Sequence, residues 1–113
     1  MKIIKESIKK DELIFLAQNY FGNLVKAVVD VERKIIALDA ELHADLEALL
    51  LENNSKQKNL WGINLYPMQS EEEMIEFDSM INIRPSQNNR SRDVKDLKIR
   101  EAIRKIVKKI ILN

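Results

Sequence analysis

No cysteine occurs in the 113 residues, which excludes a disulfide scaffold, a thiolate zinc site and a cysteine nucleophile. Histidine occurs once, as His43, so a centre built on several imidazoles is excluded, while a Ser-His arrangement is not. Glycine and proline number 2 each, which rules out a collagen-like repeat, a low-complexity linker and a glycine-rich phosphate cradle. Aromatic residues make up 5%, and none falls in the basic C-terminal stretch, which argues against a stacking platform for single strands. Trp61 and Tyr66 read instead as core and rim residues. The longest aliphatic runs, Leu49-Leu50-Leu51 and Ile110-Ile111-Leu112, fall far short of the roughly 20 residues that a membrane span needs. The N-terminus has lysines but no apolar segment of a secretory signal, so the expected location is the cytoplasm and no membrane partner is expected.

What is present suits one core. Hydrophobic residues are 45% and charged residues 33%, enough apolar surface for a single domain over 1–113. Residues 2–5 read as a short edge strand. A helix is expected over 10–21, with Leu13, Leu16, Ala17, Tyr20 and Phe21 at helical spacing, Asp11 and Glu12 in its first turn and Gly22 closing it. Residues 25–31 and 35–38 are β-branched strands joined by the tight connection Glu32-Arg33-Lys34.

Residues 41–51 admit two readings. Their Ala, Leu and Glu content favours helix. Glu41-Leu42-His43-Ala44-Asp45-Leu46-Glu47-Ala48 nevertheless alternates polar and apolar without error, and Asn53-Asn54-Ser55 then reads as a hairpin turn into a strand over 60–66. Strand is favoured. Residues 75–83 alternate as a further long strand stopped by Pro85. Residues 86–95 are polar loop, and an amphipathic helix starts at Asp96 as N-cap and buries Ile99, Ile103, Ile106, Val107 and Ile110. The fold class is therefore α+β: an antiparallel sheet meander with an N-terminal helix and a C-terminal amphipathic helix.

On this reading Leu42, Ala44, Leu46 and Ala48 point inward with Trp61, Ile63 and Leu65, while Glu41, His43, Asp45 and Glu47 share an outward face with Asn64, Glu76, Asp78, Asn82 and Arg84. His43, Asp45, Glu47 and Asp78 are the candidate catalytic set, able to supply acid/base groups or to hold a divalent cation in a hydrolytic enzyme. The competing view is a solvated sheet face, on which His43 is a surface residue with a modestly raised pKa. Asn64, Asn82, Asp45 and Asp78 are poor strand formers, which that view does not explain.

The loop over 84–92 carries Arg84, Arg90 and Arg92 among Asn89, Ser91 and other turn formers, just before a helix N-terminus. Forked guanidinium donors there suit a phosphate or carboxylate. With Asn64 and Asn82 these form the candidate ligand-binding set. The leading expectation is a binding or interaction module that contacts an anionic ligand or an acidic protein surface. The rivals are the hydrolytic enzyme and a nucleic-acid binder or RNase-like toxin working through the basic C-terminal half.

Glu41-Leu42-His43-Ala44-Asp45, Leu60-Trp61-Gly62-Ile63-Asn64-Leu65-Tyr66-Pro67, Phe77-Asp78-Ser79-Met80-Ile81-Asn82-Ile83-Arg84-Pro85 and Asn89-Arg90-Ser91 together resemble a small prokaryotic family known only as a domain of unknown function. The resemblance implies a compact cytoplasmic domain and transfers no catalytic residue. That family's pattern has glycines before the Glu-Leu-His segment and after the leucines, where this chain has Asp39-Ala40 and Asn53-Asn54.

The net charge of +1 conceals a split. Residues 1–89 hold 10 basic and 15 acidic residues, while residues 90–113 hold 9 basic and 3 acidic. Such an arrangement favours self-association into homo-oligomers or the steering of an anionic partner to one end.

Overall fold

All 113 residues are described by a computed structural model. The strands are β1 (Lys2–Ile4), β2 (Ile8–Lys9), β3 (Val25–Asp30), β4 (Ile35–Leu38), β5 (Leu60–Leu65), β6 (Ile75–Glu76) and β7 (Ile111–Leu112). The helices are α1 (Lys10–Tyr20), α2 (His43–Glu52) and α3 (Leu97–Ile110). Five strands form an antiparallel sheet in the order β1-β4-β3-β5-β6. β2 and β7 pair in parallel, tying the entrance of α1 to the exit of α3. The fold is α+β with an N-terminal and a C-terminal helix, as the periodicities indicate. No helix is long and apolar enough to cross a membrane.

Local chemistry places the joints. Asp30, fully buried at the end of β3, accepts hydrogen bonds from the Glu32 and Arg33 amides at 3.0 Å and from Ser55 Oγ at 2.7 Å. These bonds shape the turn into β4 and anchor it to the segment after α2. Gly22 closes α1 with φ +90°, its amide donating to the Ala17 carbonyl at 2.6 Å. Asp39 and Asn54 take φ of +77° and +76°, a left-handed backbone that glycine usually supplies.

The sheet is covered on both faces. Trp61, Ile63 and Leu65 of β5 join Leu13 and Leu16 of α1 and Ile103 and Val107 of α3 in one core. Leu60 of β5, Val28 of β3 and Leu46 and Leu50 of α2 form a second core on the other side. Two-sided burial explains why β3 and β4 read as nearly unbroken apolar runs.

Two elements differ from the sequence reading. Residues 43–52 are helix, not strand, and they bury His43, Leu46 and Leu50 while Leu42, Ala44 and Ala48 stay exposed. Helix propensity and one buried stripe prevail over an alternation that uses alanine as an apolar mark. Asn53-Asn54 accordingly ends α2 rather than forming a hairpin: the Ser55 amide donates to the Leu50 carbonyl at 3.0 Å and Asn53 Nδ2 to the Leu49 carbonyl at 2.8 Å.

The long strand expected over 75–83 pairs with the β5 backbone only at Ile75 and Glu76. Beyond them the chain runs into a 3-10 turn at Met80–Asn82, begun by Ser79, whose Oγ accepts from the Ile81 amide at 3.3 Å. Asn82 and Arg84, expected on an outward face, are buried.

Candidate functional site

Side chains extend the sheet where the backbone of 75–84 leaves it. The outer edge of β5 is covered at Asn64 by β6, at Gly62 by Asn82 and at Leu60 by Arg84. Asn82 Oδ1 accepts from the Gly62 amide at 2.8 Å, and its Nδ2 donates to the Gly62 carbonyl at 3.0 Å and to the Arg92 carbonyl at 3.0 Å. The carboxamide thus imitates a paired peptide group. Glycine is needed at position 62 by the neighbouring turn, because a Cβ there would lie 2.5 Å from Ser79 Cβ.

Arg84 donates through Nη1 to the Gln57 carbonyl and through Nη2 to the Leu60 carbonyl, with its guanidinium 4.1 Å from the centroid of the Trp61 ring. Burial pushes its pKa down, partly offset by the charge of Glu47. Asn89 is equally internal: Nδ2 donates to the Asn82 and Asp93 carbonyls at 2.6 Å each, and Oδ1 accepts from the Lys95 amide at 2.9 Å. Ser91 Oγ accepts from the Asp93 amide at 3.3 Å. Arg92 Nε donates to Asp78 Oδ1 at 2.6 Å. Of the three loop arginines, only Arg90 is exposed without a carboxylate or carbonyl partner. The loop is built mainly to hold its own shape.

A polar cluster lies beside the N-terminus of α2. His43 Nε2 sits 2.8 Å from the Ile63 carbonyl, which can only accept, so Nε2 carries the proton and Nδ1 the lone pair. Asn64 Nδ2 donates to Glu76 Oε1 at 2.8 Å and to the Asp78 carbonyl at 3.2 Å, while its buried Oδ1 finds no partner within the chain. Lys26 is the cross-strand neighbour of Asn64. Arg92 holds the Asp78 carboxyl below its usual range.

His43 is buried rather than on the surface, and burial pushes its pKa below the usual value of 6.5; Lys26 and Arg92 add to the fall, while the Ile63 carbonyl and Asp78 oppose it. Protons then bind the unfolded chain more readily than the folded one. This contribution to stability is complete above about pH 6.5 and is lost as pH falls through that value toward the lower folded pKa. The expected result is a melting temperature that falls between about pH 7.5 and 5.5, with a shallower fall in His43→Gln. Equal slopes would contradict the buried neutral imidazole.

The candidate catalytic set is dispersed. His43 and Asp78 share the cluster, whereas Asp45 is exposed on α2 and Glu47 turns a buried, unpartnered Oε2 into the protein. No three His, Asp or Glu side chains gather as ligands for one metal ion.

A further feature is assembled from segments distant in sequence. A groove of about 550 Å³ runs along one flank of α3. Val31, Leu97, Ala102, Ile106 and Ile110 supply its apolar surface. Lys98, Lys105 and Lys109 rise from α3, and Lys5 and Lys34 from the β1–β2 and β3–β4 connections, against only Glu6 and Glu101. On the opposite flank, Glu71 and Glu72 face Arg104 and Lys108, with Lys108 Nζ 3.7 Å from Glu71 Oε1. The acidic loop therefore offsets the bases of one flank, and the other stays net positive. Its sequence signal was the basic helix alone, since Lys5 and Lys34 come from distant segments.

Fold and surface together define an α+β protein with a two-faced antiparallel sheet and a basic groove on its last helix. The chain belongs to a family described as protein of unknown function (DUF5674), whose model matches residues 2–110. Neither a curated protein nor a solved structure matches it significantly.

Proposed function

We propose that the chain is a binding module for an anionic partner, held along the groove beside α3 rather than by the 84–92 loop. One observation carries this reading: five lysines surround an apolar floor with only two glutamates among them. Clustered like charge over a low-dielectric floor concentrates positive potential and draws an anion in. The loop arginines are less suited, since Arg84 and Arg92 already satisfy groups of the chain itself. Of the four candidate catalytic residues, only His43 and Asp78 share a cluster, which leaves acid/base catalysis the weaker reading.

The test is binding of poly-glutamate by fluorescence anisotropy across a salt series. Affinity should fall steadily with salt, and Lys98→Glu combined with Lys105→Glu and Lys109→Glu should weaken it by about tenfold or more. Charge reversal at Arg90 and Arg92 should change it far less. The opposite ranking would return the site to the loop, and no salt dependence would overturn the reading.

A further inference from the structure

We infer that the groove receives an acidic amphipathic helix of a partner protein, an inference that rests on the anion-binding reading above and narrows it. From Leu97 to Ile110 the groove follows α3 for about 20 Å, the length of a 13-residue helix. Its positive charge is spread along that length, because Lys98, Lys105 and Lys109 lie seven and then four residues apart on one flank, with Lys5 and Lys34 across from them. A ligand with one anionic head would meet one end and leave the rest unmatched.

The floor decides what carries those negative charges. Ile106 and Ile110 line the groove as buried side chains, and Leu97, the first residue of α3, lines it 76% exposed, an aliphatic side chain without cover. A helix with an apolar stripe flanked on both sides by carboxylates meets floor and both rims at once. A nucleic-acid backbone would meet the lysines but leave the aliphatic floor unused, and the groove contains no aromatic side chain on which a base could stack.

The experiment uses the full chain and three probes: a synthetic peptide of about 18 residues with leucines at i, i+3 and i+7 between glutamates, a scrambled peptide of the same composition, and an RNA duplex. The amphipathic peptide should bind about tenfold or more tightly than its scramble and gain helical circular dichroism on binding. Leu97→Ser should remove most of that preference without shifting the melting temperature, since this side chain is exposed. Equal binding of the two peptides would overturn the helix inference and leave the anion-binding reading standing. Tighter binding of the duplex would also overturn it, in favour of nucleic acid. If no probe binds, both readings fall.

Discussion

Asn82→Ala is expected to destabilise the protein by about 3–4 kcal/mol, among the largest losses from one surface-distant polar side chain. The substitution removes an acceptor from the Gly62 amide and a donor from the Gly62 and Arg92 carbonyls. Each buried backbone group left unmet costs roughly 1–3 kcal/mol, with some relief where water enters. Asn82 is fully buried between β5 and the 84–92 loop, so such relief is limited. For a domain of this size the melting temperature should fall by about 15 °C or more.

Asn82→Asp separates the two roles of the amide. A carboxylate still accepts from the Gly62 amide but turns lone pairs toward two carbonyl oxygens. It should therefore rescue nothing, and it should be worse than alanine above the range where the buried carboxyl ionises. Hydrogen exchange gives an independent reading, since the Gly62 amide should lose protection in both variants while central β3 amides keep theirs. A loss below about 1 kcal/mol for Asn82→Ala would refute the imitation of a paired peptide.

Asn82 also marks the limit of what periodicity specifies in this chain. The helix over 97–110 and the strands at 25–30, 35–38 and 60–65 were legible, because in each the dominant energy is apolar burial at one clear period. The alternation over 41–48 misled because two of its four apolar marks, Ala44 and Ala48, are small enough to stay exposed on a helix at little cost. Periodicity then put His43 on a solvated face, when its ring is tucked against the Ile63 carbonyl.

Along 75–84 the pattern identified a segment that lies against β5 but could not tell backbone pairing from pairing by Asn82 and Arg84. A signal is present: Gly62 and Asn82 are poor strand residues, Gly62 leaving room for the Ser79 side chain that packs over it and Asn82 offering an amide that can pair with backbone. The groove was less legible still. Charge counting found the basic helix, but no local pattern links Lys5 and Lys34 to its flank.

Arg84→Ala is expected to cost about 2–4 kcal/mol, whereas Arg90→Ala should stay within about 0.5 kcal/mol of the parent. Sequence alone treats the two as equal members of an anion-binding loop. In the fold, Arg84 loses carbonyl partners at Gln57 and Leu60 and its stacking on Trp61, while Arg90 loses contact chiefly with water. Charged hydrogen bonds and a desolvated stacking contact each contribute on the order of 1–3 kcal/mol, reduced by the penalty of burying the guanidinium. Arg84→Lys should recover little, because an ammonium cannot fork between two carbonyls or lie flat on an indole ring. Urea unfolding checks the ranking through the midpoint, with an unchanged slope showing that the unfolded state is the same. The distinction also bears on function. A ligand-binding arginine is commonly held at some expense to stability, so its removal would leave the fold as stable or more so while binding falls. A large stability loss at Arg84, with poly-glutamate affinity retained in the Arg84→Lys variant at a temperature where it remains folded, would identify this arginine as the clamp on the β5 edge and leave anion recognition to the lysines of α3.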